Sequence, residues 1–198
     1  MPTSPLPRIA SFLPVSRSWV PAACCALCLS CGRAELERAR ADCDAGEAAA
    51  CRELGELRLK GVGGPKSRKD GREAFERACD LGDGAACGMA GSLVYARRDD
   101  EARRRLRRGC DLDHPRSCTT WAWMLLHGEG GGADPAAARA AFDKACDGGE
   151  AAACVFAALA IRDDSSVDER DTARERDVRL RRACDLGDAR SCDQGGRE

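Results

Sequence analysis

Apolar and small residues recur along this chain at helical spacing, always in the same register to a cysteine. In GREAFERAC, ARRRLRRGC, AARAAFDKAC and DVRLRRAC, an apolar side chain stands four places before the cysteine (Phe75, Leu106, Phe142, Leu180). A small residue stands just before it (Ala78, Gly109, Ala145, Ala183). That spacing gathers both on one face of an α-helix. A second set of helical stretches, CRELGELRLKG, CGMAGSLVYAR, CTTWAWMLLHG and CVFAALAIRD, opens on another cysteine. Three places on come Leu54, Ala90, Trp121 or Ala157, and four on come Gly55, Gly91, Ala122 or Ala158. The small residue predicts that paired helices approach closely there.

A joint separates the two sets. It reads ACDLGDGAAC at 78–87 and returns as DCDAGEAAAC at 42–51, GCDLDHPRSC at 109–118, ACDGGEAAAC at 145–154 and ACDLGDARSC at 183–192. The first cysteines of these five C-x7-C units lie 36, 31, 36 and 38 residues apart, the period of a helix-turn-helix solenoid. Gly82, Gly148 and Gly187 fit helix C-caps, and Asp83 and Asp188 fit the N-cap of the helix that follows. Within a unit the two helices are joined by loops of varying character: GVGGPKSRKD after Lys60, RRDD after Tyr95, GEGGGADP after His127 and DDSSVDERD after Arg162.

Two cysteines eight apart in one continuous helix would be separated by about 12 Å along its axis. Across a helix-turn-helix they come within disulfide range. The competing chemistry is zinc, which favours C-x2-4-C pairs and histidine, whereas the spacing here is seven throughout and the only histidines are His114 and His127. The pattern therefore predicts the disulfides Cys43–Cys51, Cys79–Cys87, Cys110–Cys118, Cys146–Cys154 and Cys184–Cys192 in preference to metal sites. No cofactor is expected.

Composition supports an all-α chain. Charged residues make up 33% of the 198 residues and aromatics only 4%, with alanine and leucine supplying most of the apolar content. The formal net charge is −1 with both signs interleaved, which excludes the broad basic field that nucleic-acid binding requires. The one basic cluster, ARRRLRRG at 102–109, reads as a solvated helix face beside Asp99, Asp100 and Glu101. Fourteen cysteines point to an oxidising compartment.

Residues 1–31 differ from the rest: five prolines, only Arg8 and Arg17 charged, then the apolar run WVPAACCALCLSC. This resembles a secretory signal and is too short for an ordinary membrane span. Leu29-Ser30-Cys31-Gly32 also resembles a degenerate bacterial lipobox in which Cys31 carries lipid, so an anchored and a simply cleaved form both stand. Cys25, Cys28 and Cys31 have a C-x2-C-x2-C spacing known from iron–sulfur ligation, but no fourth cysteine followed by proline completes it. The expected organisation is a signal over 1–31 and a repeat domain over 32–198.

The register A-C-D-x-G-x-x-x-x-C-x-x-L-G, followed by a glycine-rich loop and a helix ending again in A-C-D, resembles the Sel1-like repeat in its cysteine-rich secreted form, the Hcp group, over about 34–193. The resemblance implies a TPR-like right-handed α/α superhelix with one disulfide per repeat joining adjacent helices. It further implies an adaptor for other proteins, and for some Hcp members penicillin binding or weak β-lactamase activity. Departures from the pattern occur at Arg58, where Val94, Leu125 and Ile161 keep the position apolar, and at Arg97 and Asp164, where Gly61 and Gly128 keep glycine. The chain starts and ends on half-units, which suits capping.

Catalysis has little to stand on. No serine has lysine three residues on, as a serine β-lactamase nucleophile would, and two separated histidines do not supply a metal hydrolase. The most distinctive side chains are Trp121, assigned to the core, and Trp123 and His127, four apart on another helical face. Trp123 and His127 are the candidate anchors for a protein or peptide partner, against packing of Trp123 on the neighbouring unit. The expected function is a monomeric, non-enzymatic scaffold outside the cytoplasm: periplasmic, secreted, or an outer-membrane lipoprotein whose only membrane contact is an N-terminal lipid. The alternatives are an Hcp-like β-lactam-binding protein and a redox-linked assembly factor of the mitochondrial intermembrane space.

Overall fold

Each joint is a chain reversal made from two helix caps that share a residue. The computed structural model describes residues 22–95, 99–161 and 169–194, which contain helices and turns and no strand. The helices are α1 Ala22–Asp44, α2 Ala48–Lys60, α3 Arg68–Asp80, α4 Gly84–Val94, α5 Asp99–Asp111, α6 Pro115–His127, α7 Pro135–Asp147, α8 Ala151–Ala160, α9 Glu169–Asp185 and α10 Ala189–Cys192. Between α3 and α4 the Asp83 N–H donates to Ala78 O at 2.9 Å and the Gly82 N–H to Cys79 O at 3.0 Å. These are the two bonds of a Schellman cap. The longer bond recurs as Glu47 to Asp42, His114 to Gly109, Glu150 to Ala145 and Asp188 to Ala183, all between 2.9 and 3.1 Å. In every joint the donor is also the N-cap of the next helix.

A Schellman cap needs a left-handed residue, and the third position after the first cysteine supplies it: Gly46, Gly82, Gly149 and Gly187, with φ between 93° and 97°. Gly148, expected to be the C-cap glycine of its joint, has φ −73° and stays right-handed, because the next residue, Gly149, occupies the left-handed slot. The third joint has Asp113 there at φ 56°, a side chain that tolerates this region better than most. The reversal brings each pair of cysteines to a Cα separation of 4.4 to 4.8 Å, and all five disulfides are formed.

The solenoid stacks these hairpins into an odd-numbered and an even-numbered layer. Phe75, Leu106, Phe142 and Leu180 and the small residues before the cysteines are buried as the periodicity predicts. The small residues of the second helices let each of these helices approach closely the one that follows it across a variable loop. A methyl group on Gly55 would lie 2.6 Å from the Phe75 ring, and one on Gly91 would lie 2.9 Å from Leu106 Cγ. They admit the large apolar side chain of the helix next in chain order. Val94, Leu125 and Ile161 are buried, and Arg58 is half-buried. Gly61 and Gly128 take left-handed φ values of 78° and 72°, while Arg97 and Asp164 lie outside the described residues.

Charge binds the odd layer together. Arg72, Glu76, Glu101 and Arg105 form one cluster between α3 and α5, with Arg72–Glu76 at 2.6 Å and Arg105–Glu76 at 3.1 Å. Arg139–Glu175 at 3.0 Å and Arg179–Asp143 at 2.7 Å do the same between α7 and α9. The basic cluster on α5 is thus engaged within the chain. A cation two places before the first cysteine also reaches the C-terminus of the preceding odd helix: Arg77 to Asp44, Arg108 to Asp80 O, and Arg182 to Asp147 O. These cations meet the negative end of a helix dipole and its unpaired carbonyls. Lys144 instead pairs with Asp113 at 2.9 Å.

α1 runs unbroken across the expected boundary at 31/32, and Gly32 packs against the loop at Gly63. Among the described residues no helix is long and apolar enough to cross a membrane.

Two glycine substitutions separate packing from backbone conformation. Gly55→Ala inserts a methyl into the Phe75 ring and is expected to cost about 1–3 kcal/mol. Gly82→Ala meets nothing within 4 Å and is expected to cost about 1 kcal/mol through its left-handed φ alone. Denaturant unfolding of the oxidised protein measures both.

Candidate functional site

The even-numbered layer contains a groove of about 620 Å³. Its floor is α4, whose sequence GAACGMAGSLV presents Ala85, Gly88, Met89, Ser92 and Leu93. Glu56, Leu59 and Lys60 of α2 form one wall, and His114, Arg116, Ser117 and Thr120 of α6 the other. Phe75 and Leu106 close the bottom from the odd layer. The groove exists because α4 carries small residues where its neighbours carry long ones. The volume lies within the roughly 300–1,000 Å³ typical of binding clefts.

α4 and α6 approach closely at the His114 end. A methyl on Gly88 or on Gly109 would lie 2.5 Å from Ser117 Oγ, so the serine wedges between two glycines. Ser117 is 1% exposed, and its hydroxyl lies 2.8 Å from His114 Nδ1 and 3.4 Å from Gly84 O. A serine beside a histidine at a cleft suggests a nucleophile and its base. Here the pair is an i, i+3 cap contact: Nδ1 accepts the Ser117 N–H at 3.3 Å as the N-cap of α6, and Ser117 Oγ is buried between Gly88 and Gly109. Burial lowers the His114 pKa below its ordinary value; Arg116 and Arg52 add to this, while Asp83 and Glu150 oppose it. The imidazole is therefore held neutral, the form in which Nδ1 accepts.

Trp123 and His127 lie on this layer in register with the groove. Glu56, Ser92, Trp123 and Leu159 are each five residues past the second cysteine of their unit, and Lys60 and His127 are nine past. Trp123 is 36% exposed; it stacks on His127 at 5.1 Å and meets Phe156 and Phe142 edge-on at 4.9 and 5.9 Å. It thus packs on the next unit and keeps an exposed part. His127 Nδ1 donates to Trp123 O at 2.9 Å. Trp121, expected in the core, is only half-buried: it packs against the cores of the third and fourth units, with Arg107 5.9 Å over its ring. Cys31 is exposed on α1, whereas the side chains of Cys25 and Cys28 lie outside the described residues. No cluster of metal-ligating side chains occurs among the described residues.

The groove itself escaped sequence reasoning, which followed the aromatic residues. Its signal was present in the run of small residues GAACGMAGS at 84–92.

No family model and no curated protein matches this chain. Solved structures do. A Sel1 repeat protein from Oxalobacter formigenes aligns with a TM-score of 0.69 and 19% identity over 80% of this chain and 67% of its own. A protective antigen present in uropathogenic Escherichia coli strains, displaying an SLR fold, aligns with a TM-score of 0.68 and 23% identity. That match covers 80% of this chain and 35% of the antigen, so this chain spans little more than a third of its length. The fold is the Sel1-like repeat solenoid.

The cap predicts a pH response. Because the folded state depresses the His114 pKa, the unfolded chain takes up the proton more readily. The contribution of neutral His114 is complete above the unfolded value of about 6.5 and is lost as pH falls through the folded value. His114→Asn keeps a capping side chain and is expected to flatten stability against pH in that window, measured by denaturant unfolding from pH 7.5 downwards.

Proposed function

We propose that this chain is a non-enzymatic scaffold that binds a protein or peptide through its even-numbered layer, as a monomer outside the cytoplasm. One observation carries the reading. In a chain with 33% charged residues, α4, α6 and α8 contain no aspartate or glutamate, and Arg116 is their one residue of fixed charge. Apart from those of α2, the ion pairs lie on the odd helices and joints, whereas α4, α6 and α8 expose Met89, Trp123, Leu126, Phe156 and Leu159 in full or in part. A surface kept free of charge and partly aromatic is suited to being covered. Sel1-like repeat folds are generally associated with protein partners, which agrees with this reading.

Export is supported by the five disulfides, which persist in oxidising compartments and not in a reducing cytosol. We place a signal over 1–31. The mass of the mature N-terminus distinguishes lipid on Cys31 from simple cleavage.

Affinity capture with the native, oxidised protein tests the binding role. Trp123→Ala is expected to weaken capture by about tenfold or more, the scale of an interface hot spot, with helicity unchanged. Ser92→Gln, an exposed and helix-compatible change on the groove floor, is expected to block it. Unchanged capture by both variants removes the even-numbered layer as the binding face.

A further inference from the structure

The partner's chemistry follows from what the groove lacks. Resting on the even-layer reading above, we infer that the groove takes a peptide segment that presents an aliphatic or aromatic side chain to α4 and a carboxylate to Arg116.

The apolar half of this recognition is the floor. Met89, Leu93 and Leu59 surround a trough closed by Phe75 and Leu106, and the small side chains of Ala85, Gly88 and Ser92 leave room for an inserted one. The charged half is Arg116 on the α6 wall. It lines the groove, is exposed, and makes no ion pair among the described residues. Of the acids around it, two are engaged within the chain. Glu56 on the opposite wall pairs with Lys60 at 3.0 Å, and Asp83 pairs with Arg52 at 2.7 Å while capping α4. Glu150 stands at the N-cap of α8. α4 and α8 bring no charge of either sign. The aromatic shelf of Trp123 and Phe156 continues the apolar surface beyond α6, with His127 beside it.

An unpaired guanidinium above an apolar cleft favours an acidic group next to an apolar anchor. A lysine or arginine of the partner at the same place meets the like charge of Arg116, while the groove's own carboxylate, Glu56, is held by Lys60, which selects against basic segments.

The test is selection of a random twelve-residue displayed peptide library on the oxidised protein, followed by fluorescence polarisation with the synthetic peptides recovered. Peptides combining apolar residues with Asp or Glu are expected, with affinity that falls as salt rises. They are expected to lose binding to Ser92→Gln and to weaken about tenfold on Arg116→Glu. Arg116→Glu adds a carboxylate to the first turn of α6, where the helix dipole welcomes one, so the fold is retained; Arg116→Gln gives the intermediate loss. Peptides that Ser92→Gln blocks but that are basic, or indifferent to Arg116→Glu, overturn this inference and leave the even-layer reading standing. Peptides that bind Ser92→Gln as well as the parent protein overturn both, as does recovery of no binder.

Discussion

Everything in this chain depends on reversing a helix within three residues. A helix ends with unpaired carbonyls and its successor begins with unpaired amides, and a sharp reversal buries both sets near one another. The joint solves this by sharing a residue. Asp83 closes the Schellman cap of α3 through its N–H and caps α4 through its carboxylate, which accepts the Ala86 N–H at 2.9 Å. Only a left-handed residue between the two caps allows this, hence the glycine. Once the reversal is made, the cysteines three residues before and five residues after that left-handed position face each other, and the disulfide locks a geometry the backbone has already chosen. On the loop-entropy model, closing nine residues adds about 2.5 kcal/mol per bridge.

The two layers then divide the labour of holding and exposing. Odd helices meet through half-buried ion pairs such as Arg72–Glu76–Arg105 and through cations that cap the previous helix. Such contacts set register more than they add stability, because desolvation offsets much of the attraction. Even helices meet through small residues, and Ser117 fits between Gly88 and Gly109 with no room for a methyl. From α4 onward charge is thereby largely confined to the odd layer, and α4, α6 and α8 are left apolar and open.

The periodicity of the sequence showed the helices, their buried faces and the joints, because cysteine, glycine and the small residues act locally and through short spacing. Phe75 and Leu106 could be assigned to the core from one helix alone. The joint with GG at 148–149 misled because either glycine can end a helix, and only the position counted from Cys146 chooses Gly149. Trp121 misled because its slot holds alanine at Ala90 and Ala157, and an indole is too large to be buried there, so part of it lies under Arg107. The groove was illegible for a deeper reason. It is a difference in side-chain length among three helices that lie about thirty residues apart in sequence, one period of the solenoid.

That difference also explains where the binding face begins. α2 occupies the same layer as α4, α6 and α8, yet carries Arg52, Glu53, Glu56, Arg58 and Lys60. Its charges pair internally, as Lys60 does with Glu56, or with the neighbouring joint, as Arg52 does with Asp83. α2 therefore works as a polar wall that bounds the apolar surface of α4, α6 and α8. The disulfides lie at the joints, along one rim of the layer, and leave its middle free. On the proposed reading, a partner would meet a face whose helices are already fixed, so little ordering cost would be added on binding, and affinity would rest on the few side chains that differ between units. Met89, Arg116 and Trp123 are such side chains: Met89 and Trp123 have no like residue at the equivalent positions of the other repeats, and Arg116 shares its type only with Arg190 of the last joint.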